Sequence, residues 1–312
     1  VKFYGKAKDR KEVNFLTKKN IFIAASLAVI VAGFVCMGVN KASGKGALNF
    51  SLEFLGGTST NVNFSEDMSL ADIDANIVPK IEEITGDSNV QVQKVAGTNE
   101  VIFKTRTLSV DEREAFNDMM VNNFSVDEAS ITAETISSTV SSEMQKDAVI
   151  AVVVAIVLML IYIWFRFKDM RFGASSVIAL AHDVLVVLAF YAFLRISVGS
   201  TFIACMLTIV GYSINATIVI FDRVRERLAA MKKNESLEEL LNSCVNQTLS
   251  RSVFTSLTTF IMVLVLYILG VSSIKEFALP LMAGIVCGTY SSVCLACAIW
   301  YILKTKIVKK DK

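Results

Sequence analysis

Asp183 is the residue of this sequence best placed to do chemistry: it lies near the middle of the apolar run 174–194, beside His182, the chain's one histidine. An ionised Asp at mid-membrane costs about 2.5–3.5 kcal/mol, so such an acid has to face a partner or water, or be held neutral, and either state suits a proton relay. The structural alternative is a carboxyl that pairs with a neighbouring helix and holds a bundle together. His182 is the weaker member, because adjacent helical positions point about a quarter-turn or more apart and need not share a face.

The next apolar run carries Thr208, Gly211, Tyr212, Ser213, Asn215 and Thr217. Thr208, Gly211 and Asn215 follow the three-to-four spacing of one helical face. Asn215 can hydrogen-bond to an acid on a facing helix, or serve as a packing amide worth under about 1 kcal/mol. Directly after comes Asp222-Arg223-Val224-Arg225-Glu226-Arg227, alternating in sign, which reads either as a functional mouth or as a solvated helix end. Arg251 precedes the next run; it can turn inward toward an acid, though snorkelling to the interface is the commoner fate of a terminal Arg.

Other chemistries are not supported. There is no Gly-x-x-x-x-Gly-Lys, no His-Glu-x-x-His and no Ser or Cys nucleophile with a plausible base, which argues against an ATP-driven or hydrolytic enzyme. Cys36, Cys205, Cys287, Cys294 and Cys297 lie in apolar runs and Cys244 in a polar stretch, with neither zinc-site spacing nor a disulfide framework, so neither a metal nor a cofactor is expected.

These residues must be positioned by membrane helices. Of 312 residues 54% are hydrophobic, more than a soluble core of that size hides, and a net charge of +2 gives no reason to expect a nucleic-acid partner. Spans of bilayer length fall at about 21–39, 148–165, 174–194, 201–221, 253–270 and 277–303. Lys and Arg crowd the tail 1–20, the stretch 166–171, the loop 222–251 and the tail 304–312, which puts both termini in the cytoplasm. The first span is then a retained helix, 40–147 an extracytoplasmic domain, and 148–303 a bundle of five helices.

That domain has its own rhythm. Strands are expected at 49–54 and 59–64 around Gly56-Gly57, and a helix at 69–84 from a Ser69 cap. Strands at 90–95 and 101–105 flank Ala-Gly-Thr-Asn-Glu, followed by a helix at 111–124 and a strand at 129–135. The order β-α-β-β-α-β is that of a ferredoxin-like α+β domain. The Ser-rich stretch 136–145 reads as a hinge or as a helical extension of the second span.

Several motifs carry a resemblance. Glu53-Phe54-Leu55-Gly56-Gly57-Thr58 resembles the acidic-Phe-x-Gly-Gly-Thr element of the SecF family, and Ala181-His182-Asp183-Val184 its third-helix element. Gly211-Tyr212-Ser213-Ile214-Asn215, running on to Phe221-Asp222-Arg223-Val224-Arg225-Glu226, is the closest match, and Gln247-Thr248-Leu249-Ser250-Arg251-Ser252 resembles the fifth-helix entrance. The likeness runs in order through nearly the whole chain.

The resemblance implies a protein-export membrane subunit of the resistance-nodulation-division superfamily in a bacterial or archaeal cell membrane. Its implied partners are SecD, a SecYEG-type translocon, the unfolded polypeptide in transit and membrane lipid. A proton or sodium gradient would drive it, and SecD would supply the second half of the membrane unit. Glu53, Gly56, Gly57, Gly211, Asp222, Arg223 and Arg225 stand at motif positions; Asp183, His182, Asn215, Thr217 and Arg251 are the ion-coupling candidates. One departure matters: the family pattern has Asp after the fourth-helix Asn, and here that residue is Ala216. The burden then shifts to Asp183, to SecD, or to altered ion use. Two alternatives stay open: a scaffold that stabilises SecD and the translocon, and a half-transporter for small molecules or lipids.

Overall fold

The chain folds as two compact units, a helical one and a smaller one made of residues 50–151 and 198–200. The computed structural model describes residues 13–43, 46–87, 90–95, 98–167, 169–231 and 234–308. The basic residues of 1–12 and 309–312, Lys168, and the turn residues Ala96 and Gly97 lie outside these.

Among the described residues six helices are long and apolar enough to cross a membrane: Lys19–Ala42, Ser138–Arg166, Met170–Leu194, Ser200–Ala229, Leu237–Leu269 and Ile274–Thr305. The first is α1 and the next four are α6 to α9; the sixth is composite. It consists of α10 (Ser272–Tyr290) with Pro280 inside it, a π-helical segment Ser291–Ala296, and α11 (Cys297–Val308).

Three helix boundaries fall outside the apolar runs. The stretch 136–145 is helical from Ser138, so α6 starts well before the apolar run. The loop expected at 222–251 is short, because α8 continues to Ala229 and α9 begins at Leu237. Ser236 accepts from the Glu239 N–H while Glu239 accepts from the Ser236 N–H, a capping box that starts α9 in polar sequence. Cys244 is consequently a buried helical residue rather than a loop residue. The bundle core below this corner is aromatic, with Phe172 stacked on Trp300 at 4.9 Å and edge-on to Phe221 at 5.0 Å.

The smaller unit is built on a four-stranded antiparallel sheet of order β3-β4-β2-β5, from β2 (Gly57–Asn63), β3 (Gln91–Lys94), β4 (Glu100–Thr105) and β5 (Ile131–Ile136). Thr60 pairs with Phe103 on one side and Ala133 on the other, so β2 is central. The helices α3 (Leu70–Asn76), α4 (Val78–Thr85) and α5 (Val110–Phe124) bury Ile73, Ile77, Ile81, Phe116 and Met120 against Val62, Val101 and Phe103.

The expected strand 49–54 is instead a two-residue β1 (Asn49–Phe50), paired with β6 (Ser197–Val198), followed by the short helix α2 (Leu52–Leu55). The single helix expected at 69–84 is two, broken at Ile77 ahead of Pro79, which fits the first turn of α4 but not a helix interior. Gly57 has φ +115°, and a Cβ there would run into the carbonyl oxygen of Thr105 on β4. The Gly-Gly pair therefore serves the close approach of β2 to β4, as well as the turn out of α2.

Candidate functional site

Asp183 lies about midway along α7, with 0% of its surface exposed. Its Oδ2 accepts two hydroxyls, from Ser213 Oγ of α8 at 2.5 Å and from Ser291 Oγ of the π segment at 2.8 Å. Its Oδ1 contacts His182 Nδ1 at 3.0 Å and accepts from Cys287 Sγ at 3.3 Å. The carboxyl thus ties together α7, α8 and the composite sixth span, and its buried oxygens are fully hydrogen-bonded, the condition under which a buried acid is tolerated.

Local backbone explains why the serines reach it. Gly284 and Gly288 of α10 face α8: a Cβ on Gly288 would lie 3.0 Å from the Ser213 Cβ, and one on Gly284 would overlap Ile209. Small residues let the two helices close up. The π segment then places two consecutive serines inward. Ser291 bonds Asp183, while Ser292 Oγ is 2.9 Å from Thr217 Oγ1 and donates to the Ser213 carbonyl at 3.3 Å. π-Bulges recur at functional sites because they re-aim side chains in this way.

His182 is 9% exposed, and its Nε2 has no hydrogen-bond partner among the described residues. Its ring is tilted toward Tyr290, centroids 6.2 Å apart, and Tyr290 in turn donates to the Phe22 carbonyl of α1 at 2.8 Å. A cavity of about 550 Å³ reaches this corner, lined by Ser26, His182, Phe190, Phe260, Cys287 and Tyr290 among others.

Of the two readings of Asn215, a bond to an acid or a packing amide, no bond to an acid is present among the described residues. Asn215 is exposed on α8 and, with Tyr212, Ala216, Arg251 and Ser252, lines a separate cavity of about 60 Å³. Arg251 is exposed and makes no hydrogen bond or ion pair among the described residues. The buried Ser252 Oγ lacks a partner there as well. His182, by contrast, does share a site with Asp183, because its Nδ1 folds back on the neighbouring carboxylate.

The motif positions have definite local roles. Glu53 accepts the Ser200 N–H at 2.8 Å, capping α8 with a carboxylate at the end of the helix dipole that favours one. Asp222 pairs with Arg166 and lies 3.7 Å from Arg225, which also donates to the Arg166 carbonyl at 3.2 Å. Arg223 donates to Gln247 at 2.7 Å and Glu226 at 2.6 Å. Gly211 is exposed on α8, with open space where a side chain would project. Sequence reasoning missed Cys287, Ser291 and Ser292; the signal on offer was the i, i+4 pair Cys287 and Ser291 inside an apolar run.

A family model described as protein export membrane protein SecD/SecF, C-terminal, matches residues 116–306. The chain is 31% identical to the protein translocase subunit SecF of Thermodesulfovibrio yellowstonii, over 96% of this chain and 98% of that one. It is 35% identical to the protein translocase subunit SecDF of Thermus thermophilus over 92% of this chain and 38% of that one.

The crystal structure of Thermus SecDF, a translocon-associated membrane protein, superposes with a TM-score of 0.78 at 33% identity, covering 95% of this chain and 39% of that one. Six apolar spans and the matched C-terminal model define a multi-pass membrane protein of the SecD/SecF export class. Within that class the chain belongs to the SecF family of protein translocase subunits, with a role in protein export.

Proposed function

We propose that this subunit works with SecD beside a SecYEG-type translocon and uses the proton gradient, or a sodium gradient, to promote late steps of export. The observation that carries the reading is Asp183, wholly buried in a membrane helix and held by hydroxyls from two others. Protonation at Oδ2 turns the oxygen that accepts both hydroxyls into a donor, so the Ser213 and Ser291 hydroxyls rearrange and α8 shifts with Ser213. Because α8 is one helix from Ser200 to Ala229, a shift at Ser213 is transmitted to Ser200, whose N–H Glu53 holds. Glu53 leads through Gly56-Gly57 into β2 of the sheet.

In this reading the sheet unit is a ferredoxin-like domain outside the cytoplasm, both termini are inside, and the domain swings against the emerging unfolded polypeptide. One charge moving through 100 mV supplies about 2.3 kcal/mol, enough to bias such a swing but little more, so each substrate takes several cycles.

A partner in the membrane is supported by α8 itself. Ala204, Thr208, Gly211 and Asn215 are exposed along one face, and small and polar residues on the outside of a spanning helix suit a protein neighbour better than lipid. SecD is the neighbour we assign there. The scaffold alternative is favoured by one observation, Ala216 in place of the family acid beside Arg251.

The deciding experiment is maturation of a secreted reporter in cells depleted of the native protein and complemented with this chain or with Asp183→Asn, at several proton and sodium gradients. Failure of the variant alone supports coupling through Asp183. Equal rescue by both leaves coupling to SecD and this chain a scaffold.

A further inference from the structure

We infer that His182, Asp183 and Cys287 form a binding site for a divalent cation of the zinc and cadmium type. The three ligating atoms already form a compact triangle: Nδ1 to Oδ1 is 3.0 Å, Sγ to Oδ1 3.3 Å and Sγ to Nδ1 4.0 Å. A tetrahedral zinc with its usual bonds to nitrogen, oxygen and sulfur spaces its ligands about 3.3–3.6 Å apart. Side-chain movements of a few tenths of an ångström convert one triangle into the other.

Charge selects the ion. A carboxylate, a thiolate and a neutral imidazole bring two negative charges, which a divalent cation cancels in surroundings where residual charge is costly. A sodium ion leaves a net negative charge behind, and magnesium or calcium demands more oxygen ligands than the three atoms provide. A mixed sulfur and nitrogen set instead suits zinc and its softer neighbours.

The surroundings behave as the supporting shell of a metal site does. Ser213 and Ser291 occupy Oδ2, which fixes the carboxyl plane and leaves Oδ1 turned toward His182 and Cys287. The cavity of about 550 Å³ touches both His182 and Cys287, leaving space beside the triangle for a fourth ligand. On binding, the Cys287 S–H proton is released to solvent, the His182 proton moves from Nδ1 to the unpartnered Nε2, and bonds from sulfur and Nδ1 to the metal replace their hydrogen bonds to Asp183; nothing is oxidised or reduced.

Cys287 lies 104 and 105 positions from its two partner ligands along the chain, so local zinc spacing gave no sign of the set. The inference does not rest on the ion-coupling proposal, since binding is read on the resting chain with no gradient.

The test is a Cd²⁺ titration of the full chain in lipid nanodiscs, followed by calorimetry and by thiolate-to-cadmium absorption. One equivalent is expected, with one proton released, an absorption band and a raised melting temperature. Cys287→Ser keeps a hydroxyl for Asp183 but removes the thiolate, so the band and the metal-dependent rise in melting should vanish while the metal-free melting temperature stays. Ser213→Ala should weaken binding by about 10–100-fold without abolishing the band. Cys294→Ala should bind as the parent does. An unchanged titration in Cys287→Ser, loss of the band in Cys294→Ala, or no binding by the parent overturns the site.

Discussion

The Ser213 hydroxyl donates to Asp183 Oδ2 at 2.5 Å across the contact between α8 and α7, and both residues are wholly buried. Ser213→Ala leaves Oδ2 with Ser291 alone in a place water does not reach. Leaving a buried acceptor without one of its donors costs about 1–3 kcal/mol, and thermal melting of the full chain in detergent should fall accordingly. Equal melting of Ser213→Ala and the parent would show that the bond contributes nothing.

Gly288 allows that bond to form, since a side chain there presses on Ser213. Gly288→Val should force α10 away from α8 and cost about 1–3 kcal/mol, the usual range for overpacking. Gly38 of α1 has open space around it, so Gly38→Ala should be neutral or stabilise slightly through helix propensity. Melting temperatures of the two variants, measured side by side, separate a packing requirement from a general intolerance of helix substitution.

In the sheet unit, Gly57→Ala meets both a disfavoured φ of +115° and the Thr105 carbonyl oxygen. Strain of this kind costs about 1–3 kcal/mol, and the clash with backbone adds to it. Gly86, also at positive φ (+63°) but with nothing near its missing Cβ, should accept Asn at little cost. Hydrogen exchange on the full chain should show β2 and β4 losing protection in Gly57→Ala and retaining it in Gly86→Asn.

Glu112 supplies a pH dependence. Hydrogen bonds from the Arg106 guanidinium, and then from the Ser109 N–H, hold its carboxyl down at about 2 against an ordinary 4.5. A depressed carboxyl stabilises the fold fully above its unfolded value, and that stabilisation drains away as the pH falls from about 4.5 toward about 2. Glu112→Gln should flatten this part of the acid titration, followed by exchange protection in α5. The same slope in variant and parent would assign the acid sensitivity to other carboxyls.

Much of the architecture was legible because two simple signals are strong: apolar runs of bilayer length, and alternating strands punctuated by turn residues. The failures have local causes. Pro79 splits a helix that periodicity alone reads as continuous, and the Ser236 and Glu239 capping box begins a helix in what composition reads as loop. Asp183 stood out because one acid in an apolar run is costly. Its partners did not, since Ser213, Cys287 and Ser291 are each ordinary packing residues of membrane helices, and only the π segment and the close approach at Gly288 turn them onto one carboxyl.

Ala216 and Arg251 allow the family pattern to be tested in reverse. Both line the small cavity with Asn215 and Ser252, and Arg251 has no acid beside it among the described residues. Ala216→Asp places a carboxylate where the guanidinium can reach it, so the single substitution should be tolerated. Combined with Arg251→Ala, the same Asp is left without a counter-charge in an apolar helix, and the double variant should be less stable than the sum of the singles by about 1–3 kcal/mol. A cycle that closes without coupling would mean that Arg251 remains at the interface and never turns inward. A cycle that couples, together with altered ion dependence of reporter export in Ala216→Asp, would mean that this cavity can still carry an ion path that Ala216 has silenced.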